Sequence, residues 1–500
     1  MKTLVLVAAA AAALVPAGAL AGRGTFSSSD PLLNVVWAGS AKTAGMMLSE
    51  PTNLNPGLCT YPAGHTVILD GYVRDRCAWV GDLAVTGETL LLTGQGDPLD
   101  LRFELEAFAG TQRADGSICP VIGPQCEGLT LVDYQAYWIE ALRDYVLYTG
   151  DVGAASAMLE NVAGVLDRYY PAGTSDGLFQ NALGPADYAY INRHSPTVVY
   201  YNAQYVVALR EGAQLARWAG AASRAATWDA RADALGPIVL STFWDPAAGA
   251  FKDTPDAELV HPQDGNAFAV LAGVGTSAQR RSALDYLAAH DAYDYGNSIS
   301  DADVWDGWPW GTGARRRAYP FISFFEVEAR FQEGLDASAI DLIRREWGYM
   351  AKNGPGTTWE VIGPFGSPDV FGISSLAHGW STGAAPALTS YVLGVQPDGP
   401  GFARFVARPH TGSLSWAAGD VPSPHGTIHF EWRRWGRTFT ARVVSPVPGT
   451  IALPAVGTAT LDGKPVRLPA KRTETLLQVR KGTHAIVVAP AAKKTRPTRR

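Results

Sequence analysis

The sequence predicts a mainly α-helical body followed by an antiparallel β-sandwich. Three observations point there: a recurring 3–4 apolar spacing over residues 28 to 395, a switch to strict alternation after about Gly399, and loops rich in Gly, Pro and Asp between the periodic runs. Leu131, Tyr134, Trp138, Ala141, Tyr145 and Tyr148 share one helical face; Gly150 ends that helix and Asp151 is placed to cap the next. Val198 to Trp218 with Ala221 to Phe243, and Phe321 to Phe331 with Ala337 to Met350, read as further helix pairs, for about twelve helical stretches. In the last part Ile428, Phe430 and Trp432 alternate with His429 and Glu431. Phe439, Ala441 and Val443 alternate with Thr440 and Arg442, with Gly436 in the turn between the two runs. Short strands near Thr450 to Leu453, Thr475 to Val479 and Ala485 to Val488 complete a sandwich of roughly 90 residues.

Five hundred residues exceed one compact unit, and 47% hydrophobic with 18% charged residues is the composition of a folded chain. The expected division is a secretory leader over 1–21, a helical catalytic unit over 22–398, the sandwich over 399–490, and a basic disordered tail over 491–500. The leader rests on Lys2, an apolar run from Leu4 to Val15, and the small-x-small triplet Ala19-Leu20-Ala21, too short for a membrane span. A secreted, extracellular protein is therefore expected. The net charge of −6 favours neither nucleic acid nor an anionic membrane as partner. Nothing in the sequence sets an oligomeric state.

The four cysteines fit an oxidising destination, and of three possible pairings Cys59–Cys77 with Cys119–Cys126 closes the shortest loops. The first bridge would brace the segment carrying Asp75. No catalytic metal and no cofactor is expected, and a structural calcium is left open. There is no phosphate-loop or dinucleotide glycine motif, no zinc spacing surrounds the cysteines, and strand spacing would set His425 and His429 about 13 Å apart.

The segment DGYVRDRCAWVGD holds Asp70, Asp75 and Asp82 among arginines and Trp79. Acids this dense belong either to a structural Asp–Arg network or to a polar pocket, because buried charge must be paired. Far downstream GPGTTWEVIG carries Glu360 behind Trp359. Two separated carboxyl groups beside tryptophans point to glycosidic-bond cleavage, which sets two carboxyls on either side of one bond. Fifteen Trp and 19 Tyr suit sugar stacking, though a large aromatic core explains the same count.

In this order DGYVRDRCAWVGD, YPFISFFEVEARF, IRREWGYM, GTTWE and SLAHGWSTGAAPALTSYVLGV, followed by GFARFVARPHTGSLSWAAGDVPSPHGTIHFEW, resemble the α-L-rhamnosidases of the six-hairpin glycosidase group, glycoside hydrolase family 78, over roughly residues 28 to 490. Members usually carry β-domains ahead of the barrel, whereas this chain passes from leader to barrel, which bears on the size of substrate it prefers. The resemblance implies an (α/α)6 six-hairpin barrel followed by a C-terminal antiparallel β-sandwich, and inverting, exo-acting release of terminal L-rhamnose from glycosides or plant polysaccharides such as rhamnogalacturonan. It implies Asp75 as general acid, where many members have Glu, and Glu360 as general base in preference to Glu326 or Glu328, which would pair with Arg344 or Arg345. Asp70, Arg74, Asp82, Asp187 and His378 would contact the sugar. Trp79 and Trp359 read either as apolar walls against the deoxysugar methyl group or as core. Tyr188 follows Asp187 where the family often has Trp. The loop DADVWDGWPWG, with Trp305, Trp308 and Trp310, reads either as an aromatic rim for the aglycone or leaving sugar or as a packed loop cover. Arg74 and Arg76 would bind other carboxylates or the sugar rather than Asp75. A hydrolase for another terminal sugar or an unsaturated uronide, and a non-catalytic carbohydrate-binding protein, are the alternatives; the presence of both acids favours an enzyme.

Overall fold

The computed structural model describes residues 20, 22–55, 57–73, 75–181, 187–255, 260–303, 305, 316–368, 374–454, 457–467 and 474–490. The expected leader (apart from Leu20), Arg74, Trp308, Trp310 and the basic tail lie outside the described residues.

The described helices run α1 (Pro31–Met46), α2 (Val80–Thr93), α3 (Pro98–Ala109), α4 (Val132–Thr149), α5 (Val152–Gly164), α6 (Val199–Trp218), α7 (Ala222–Phe243), α8 (Gln263–Leu271), α9 (Ser277–His290), α10 (Pro320–Gln332), α11 (Asp336–Asn353) and α12 (Ala384–Ala387, continued by a π-helical turn Leu388–Leu393). Their ends follow local chemistry. Asp30, Asp97 and Asp151 accept hydrogen bonds from the first-turn N–H groups of α1, α3 and α5, Thr276 and Gln279 form a capping box on α9, and Gly150 leaves α4 in the left-handed conformation. Consecutive even-numbered helices pack on one another and α12 returns to α2, so they form a closed inner ring; the odd-numbered helices pack outside it. This is the (α/α)6 barrel.

One device recurs around the ring. Gln135, Asn202 and Asn266, in the first turns of α4, α6 and α8, each accept from one backbone N–H and donate to the C=O of the same residue, Ile118, Phe179 and Phe251 respectively. Each side chain thereby docks a loop end onto the start of an inner helix and satisfies backbone groups that would otherwise be buried unpaired. The inner helices begin at this mouth, where Asp82, Asp133 and Asp264 sit in the first turns of α2, α4 and α8, next to the positive helix ends.

The strands after the barrel are β2 (Val395–Pro397), β3 (Phe405–Ala407), β4 (Trp416–Val421), β5 (Ile428–Trp435), β6 (Thr438–Ser445), β7 (Gly449–Pro454), β8 (Thr458–Leu461), β9 (Lys464–Val466), β10 (Glu474–Val479) and β11 (Gly482–Ala489), with β1 (Thr25–Ser28) preceding α1. They form a seven-stranded sheet, β1-β4-β5-β6-β11-β8-β9, and a four-stranded sheet, β2-β3-β7-β10. The alternation read from sequence holds: Ile428, Phe430, Trp432, Phe439, Ala441 and Val443 point into the core. Two features differ from expectation. Strand β1 precedes the barrel yet pairs with β4, Thr25 opposite Asp420, so the sandwich uses both sides of the helical body. Strands β3 and β7 run parallel, Phe405 opposite Gly449. His425 lies in the turn before β5 rather than in the strand, and His429 contacts Asp420 at 2.8 Å. Trp432 donates its indole N–H to the Val392 carbonyl, tying sandwich to barrel. No helix among the described residues is long and apolar enough to cross a membrane.

Candidate active site

At the mouth, three extended segments lie side by side. His378 N–H donates to Thr358 O and Glu360 N–H to Ser375 O, at 3.0 and 2.9 Å. On the other edge Gly379 N–H donates to Asp70 O at 2.6 Å and Tyr72 N–H to Ala377 O at 3.0 Å. The segment 375–379 therefore lies between the strand of Asp70 and the strand of Glu360, which run two strand spacings, about 10 Å, apart, with Asp70 and Glu360 bonded to its opposite ends. Gly379 permits this approach: a Cβ there would lie 2.4 Å from Thr86 Oγ1 and 3.3 Å from Asp70 O.

The loop bearing Asp75 is closed at its base. Asp70 N–H donates to Cys77 O and Cys77 N–H to Asp70 Oδ1, both at 2.9 Å, and the Cys59–Cys77 bridge holds the same end. The second bridge joins Cys119 and Cys126, so both expected pairings are present. Asp75 and Arg76 have φ of 51° and 54°, left-handed conformations that cost a non-glycine residue energy and recur where a scaffold holds a functional side chain in place. Arg76 turns away from Asp75, as expected, but toward backbone: its guanidinium donates to Asn53 O and Tyr72 O at 3.0 and 2.7 Å rather than to a carboxylate.

Asp70, Asp75, Trp79, Asp82 and His378, all expected at the site, line one cavity of about 210 Å³ together with Gln125, Tyr134, Tyr188, Tyr190 and Trp380. His378 is buried, with Nδ1 3.3 Å from Asp82 Oδ1 and Nε2 3.9 Å from Asp70 Oδ2. Burial, then the charges of Asp82 and Asp75, hold the Asp70 carboxyl well above the usual carboxylate range, against the pull of the Cys77 and Gly71 N–H groups. Trp79 stands edge-on to Tyr134, ring centroids 6.2 Å apart.

Glu360 is 7% exposed and outside that lining, one segment away. Ser375 N–H donates to its Oε2, and Trp380 donates its indole N–H to its carbonyl, both at 2.9 Å. Trp380 also stacks on Phe321, 5.0 Å between centroids. Trp380 thus joins the cavity wall to the Glu360 segment. Its signal was its place two residues after His378 in SLAHGWSTG; Gln125, Tyr134 and Tyr190 carried no local signal.

Several expected contacts fall elsewhere. Trp359 is 1% exposed and packs in the core, its backbone N–H on Met350 Sδ, and is no wall of the described cavity. Asp187 and Trp305 meet around buried Arg193. The guanidinium donates to Asp187, Asp253 and Asp264 at 3.1, 2.8 and 2.5 Å, and Trp305 donates to Asp253 at 3.0 Å under the same arginine. Asp187 also accepts from Tyr201 and from the N–H groups of Ala189 and Ile191, so it braces the loop beside the cavity. Tyr188, the next residue, is the one that reaches the lining, with its N–H on Asp133 at 2.8 Å. Removing one partner of such a buried cluster strands the others, so Arg193→Met is expected to destabilise the protein by about 3–5 kcal/mol. A denaturant midpoint unchanged from wild type would show that the three acids are stable without the arginine. Glu326 pairs with Arg330 and accepts from Gln263 at 2.7 Å, whereas Arg344 and Arg345 pair with Asp30 and Asp341, so the expected pairing with Glu326 or Glu328 does not form.

A closed ring of helix hairpins with acids gathered at its mouth, followed by a sandwich, is the architecture of six-hairpin glycosidases. Residues 63–382 match the bacterial alpha-L-rhamnosidase 6 hairpin glycosidase domain and residues 394–464 the bacterial alpha-L-rhamnosidase C-terminal domain. The chain belongs to the bacterial α-L-rhamnosidase family. It is similar to an alpha-L-rhamnosidase of Alteromonas sp. (strain LOR), 32% identical over 104 residues, 20% of this chain and 11% of the relative. Among solved structures it resembles the alpha-L-rhamnosidase of Dictyoglumus thermophilum (TM-score 0.72, 15% identity, 94% of this chain and 50% of that one). It also resembles the Streptomyces avermitilis alpha-L-rhamnosidase complexed with L-rhamnose (TM-score 0.71, 19% identity, 94% and 42%). The chain spans half the length of these relatives or less.

Proposed function

We propose that this protein is a secreted, exo-acting, inverting α-L-rhamnosidase that releases terminal L-rhamnose from glycosides or plant polysaccharides. The observation that carries the reading is the shared 375–379 segment, which sets the Asp75-bearing loop and Glu360 on opposite edges of one mouth. Inverting glycosidases keep their carboxyls about 6.5–9.5 Å apart to admit a water, and that is the separation expected between the Asp75 and Glu360 carboxyls. Asp75 gives its proton to the glycosidic oxygen as the bond to the anomeric carbon breaks. Glu360 takes a proton from the water that attacks the opposite face of the ring. Asp70, Asp82 and His378 hold sugar hydroxyls, and Trp79 with Trp380 packs against the apolar face of the deoxysugar. The two bridges and the expected leader fit an extracellular setting.

Incubation with p-nitrophenyl α-L-rhamnopyranoside is expected to release p-nitrophenol, and proton NMR of the first turnovers to show β-L-rhamnose before mutarotation. First appearance of the α-anomer rules out single displacement. Turnover of another aryl glycoside in preference removes rhamnose as the substrate sugar.

A further inference from the structure

The sandwich differs from the barrel in charge. Residues 399–490 hold 12 Lys and Arg against 4 Asp and Glu, whereas residues 1–398 hold 24 against 43. The protein is therefore electrically bipolar although its net charge is only −6. Three of these twelve cations sit together at the tip of the β5–β6 hairpin, which reads Arg433-Arg434-Trp435-Gly436-Arg437.

Trp435 is 91% exposed, far beyond what an indole in a folded core-and-surface arrangement needs. Strand alternation puts it on the same face as Arg433, which itself lies over the Trp416 ring at 5.6 Å. Behind the tip is a cavity of about 390 Å³, bounded by Arg408, Arg434, Arg437 and Phe439. Glu474 occupies Arg408 in a two-pronged ion pair at 3.0 and 3.1 Å, and Arg434 donates to the Gly412 carbonyl at 2.9 Å. That leaves the Arg437 guanidinium, at the turn, with its donors available to a ligand.

We propose that this hairpin tip and the cavity behind it form a second glycan-binding site, selective for a chain bearing uronate carboxylates. Arg437, at the turn itself, receives a carboxylate in the two-pronged geometry that guanidinium favours; alternation puts Arg434 on the cavity face and Trp435 on the opposite one, so the chain crosses the tip between them. A neighbouring pyranose of the same chain lays its CH face on Trp435, which rigid indole rings do at little entropic cost. The surrounding positive field raises the local concentration of such a polymer, while the acidic barrel repels it, so the chain is drawn to the sandwich. A neutral glycan would gain the stacking alone, and a polyanion without sugar rings the field alone. The site is independent of which sugar the barrel cleaves.

Affinity of the full-length protein for an oligogalacturonate, measured by calorimetry with the fully methyl-esterified oligomer as control, tests the site. The expected result is saturable binding of the acidic oligomer, at least tenfold weaker binding of the esterified one, and at least a tenfold loss in Trp435→Ala/Arg437→Ala. Each single variant should lose part of that affinity, and all should hydrolyse a small aryl glycoside at the wild-type rate. Glu360→Gln, expected to be inactive, should bind as wild type, which separates this site from the barrel mouth. Equal affinity in the double variant, equal affinity for the esterified oligomer, or no binding of the acidic oligomer overturns the proposal. So does equally tight binding of polyglutamate or anionic vesicles, which would show a field without a sugar site.

Discussion

Replacing Glu360 with Gln, and separately Asp75 with Asn, is expected to lower kcat by about 10³-fold or more in each case, the upper part of the range for a general acid or base. Glutamine keeps the length of Glu360 and can still accept the Ser375 N–H at its carbonyl oxygen, so the mouth should keep its shape. It cannot take a proton from water. KM should change little, because the lost interaction is made in the transition state. The two variants are told apart by the leaving group. A dinitrophenolate departs without protonation, so Asp75→Asn should recover much of its loss on a dinitrophenyl rhamnoside, while Glu360→Gln should not. A variant that retains a tenth of wild-type kcat removes that residue from its role, and the same leaving-group response in both would show that acid and base are misassigned.

Stability is expected to fall as pH rises from about 5 to 8, because of a carboxyl cluster deeper in the barrel. Glu88 on α2, Glu140 and Asp144 on α4, Glu211 on α6 and Glu328 on α10 gather in the later turns of their helices. Arg143 is the cation among them, 2.7 Å from Asp144 and 2.9 Å from Glu211, and the hydroxyls of Tyr148 and Tyr391 donate to Glu88 and Glu328. One arginine cannot balance five charges. Burial, partly offset by Arg143, lifts Asp144 to about 6 and Glu211 to about 7; burial and the Asp144 charge lift Glu328 to about 8, and Glu88 and Glu140 are also raised. Unfolded, these groups titrate near about 4. Between the two ranges the native state holds more protons, so each pH step upward costs the native state, on the order of a few kcal/mol by pH 8. Glu328→Gln should flatten the fall in melting temperature between pH 5 and 8. A wild-type melting temperature that rises over that interval, or an unchanged slope in the variant, would show that the cluster stays charged without penalty.

The elements legible in the sequence were those built from neighbours along the chain. Helix α4 starts one residue after Leu131 and stops at Gly150, and α5 follows at once behind Asp151, because apolar spacing, a left-handed glycine and the acid that caps the next helix all act within a few residues. The β5–β6 hairpin turns at Gly436 for the same reason. The dense acids of residues 70 to 82 declared themselves too, since unpaired charge has few places to go in a folded chain. What the tertiary structure alone decided were the partners. Strand β1 finds β4 almost four hundred residues later, and Trp380 links the cavity to Glu360 through contacts that no local pattern encodes. Asp187, placed at the sugar by resemblance, and Trp305, read as an aromatic rim or a packed cover, spend their polar atoms on Arg193 and Asp253. Periodicity and caps are energies of a short stretch of chain, readable from composition and spacing. Which buried charge meets which, and which segment lies between two acids, depends on how separate elements pack, and that is settled only when the barrel closes.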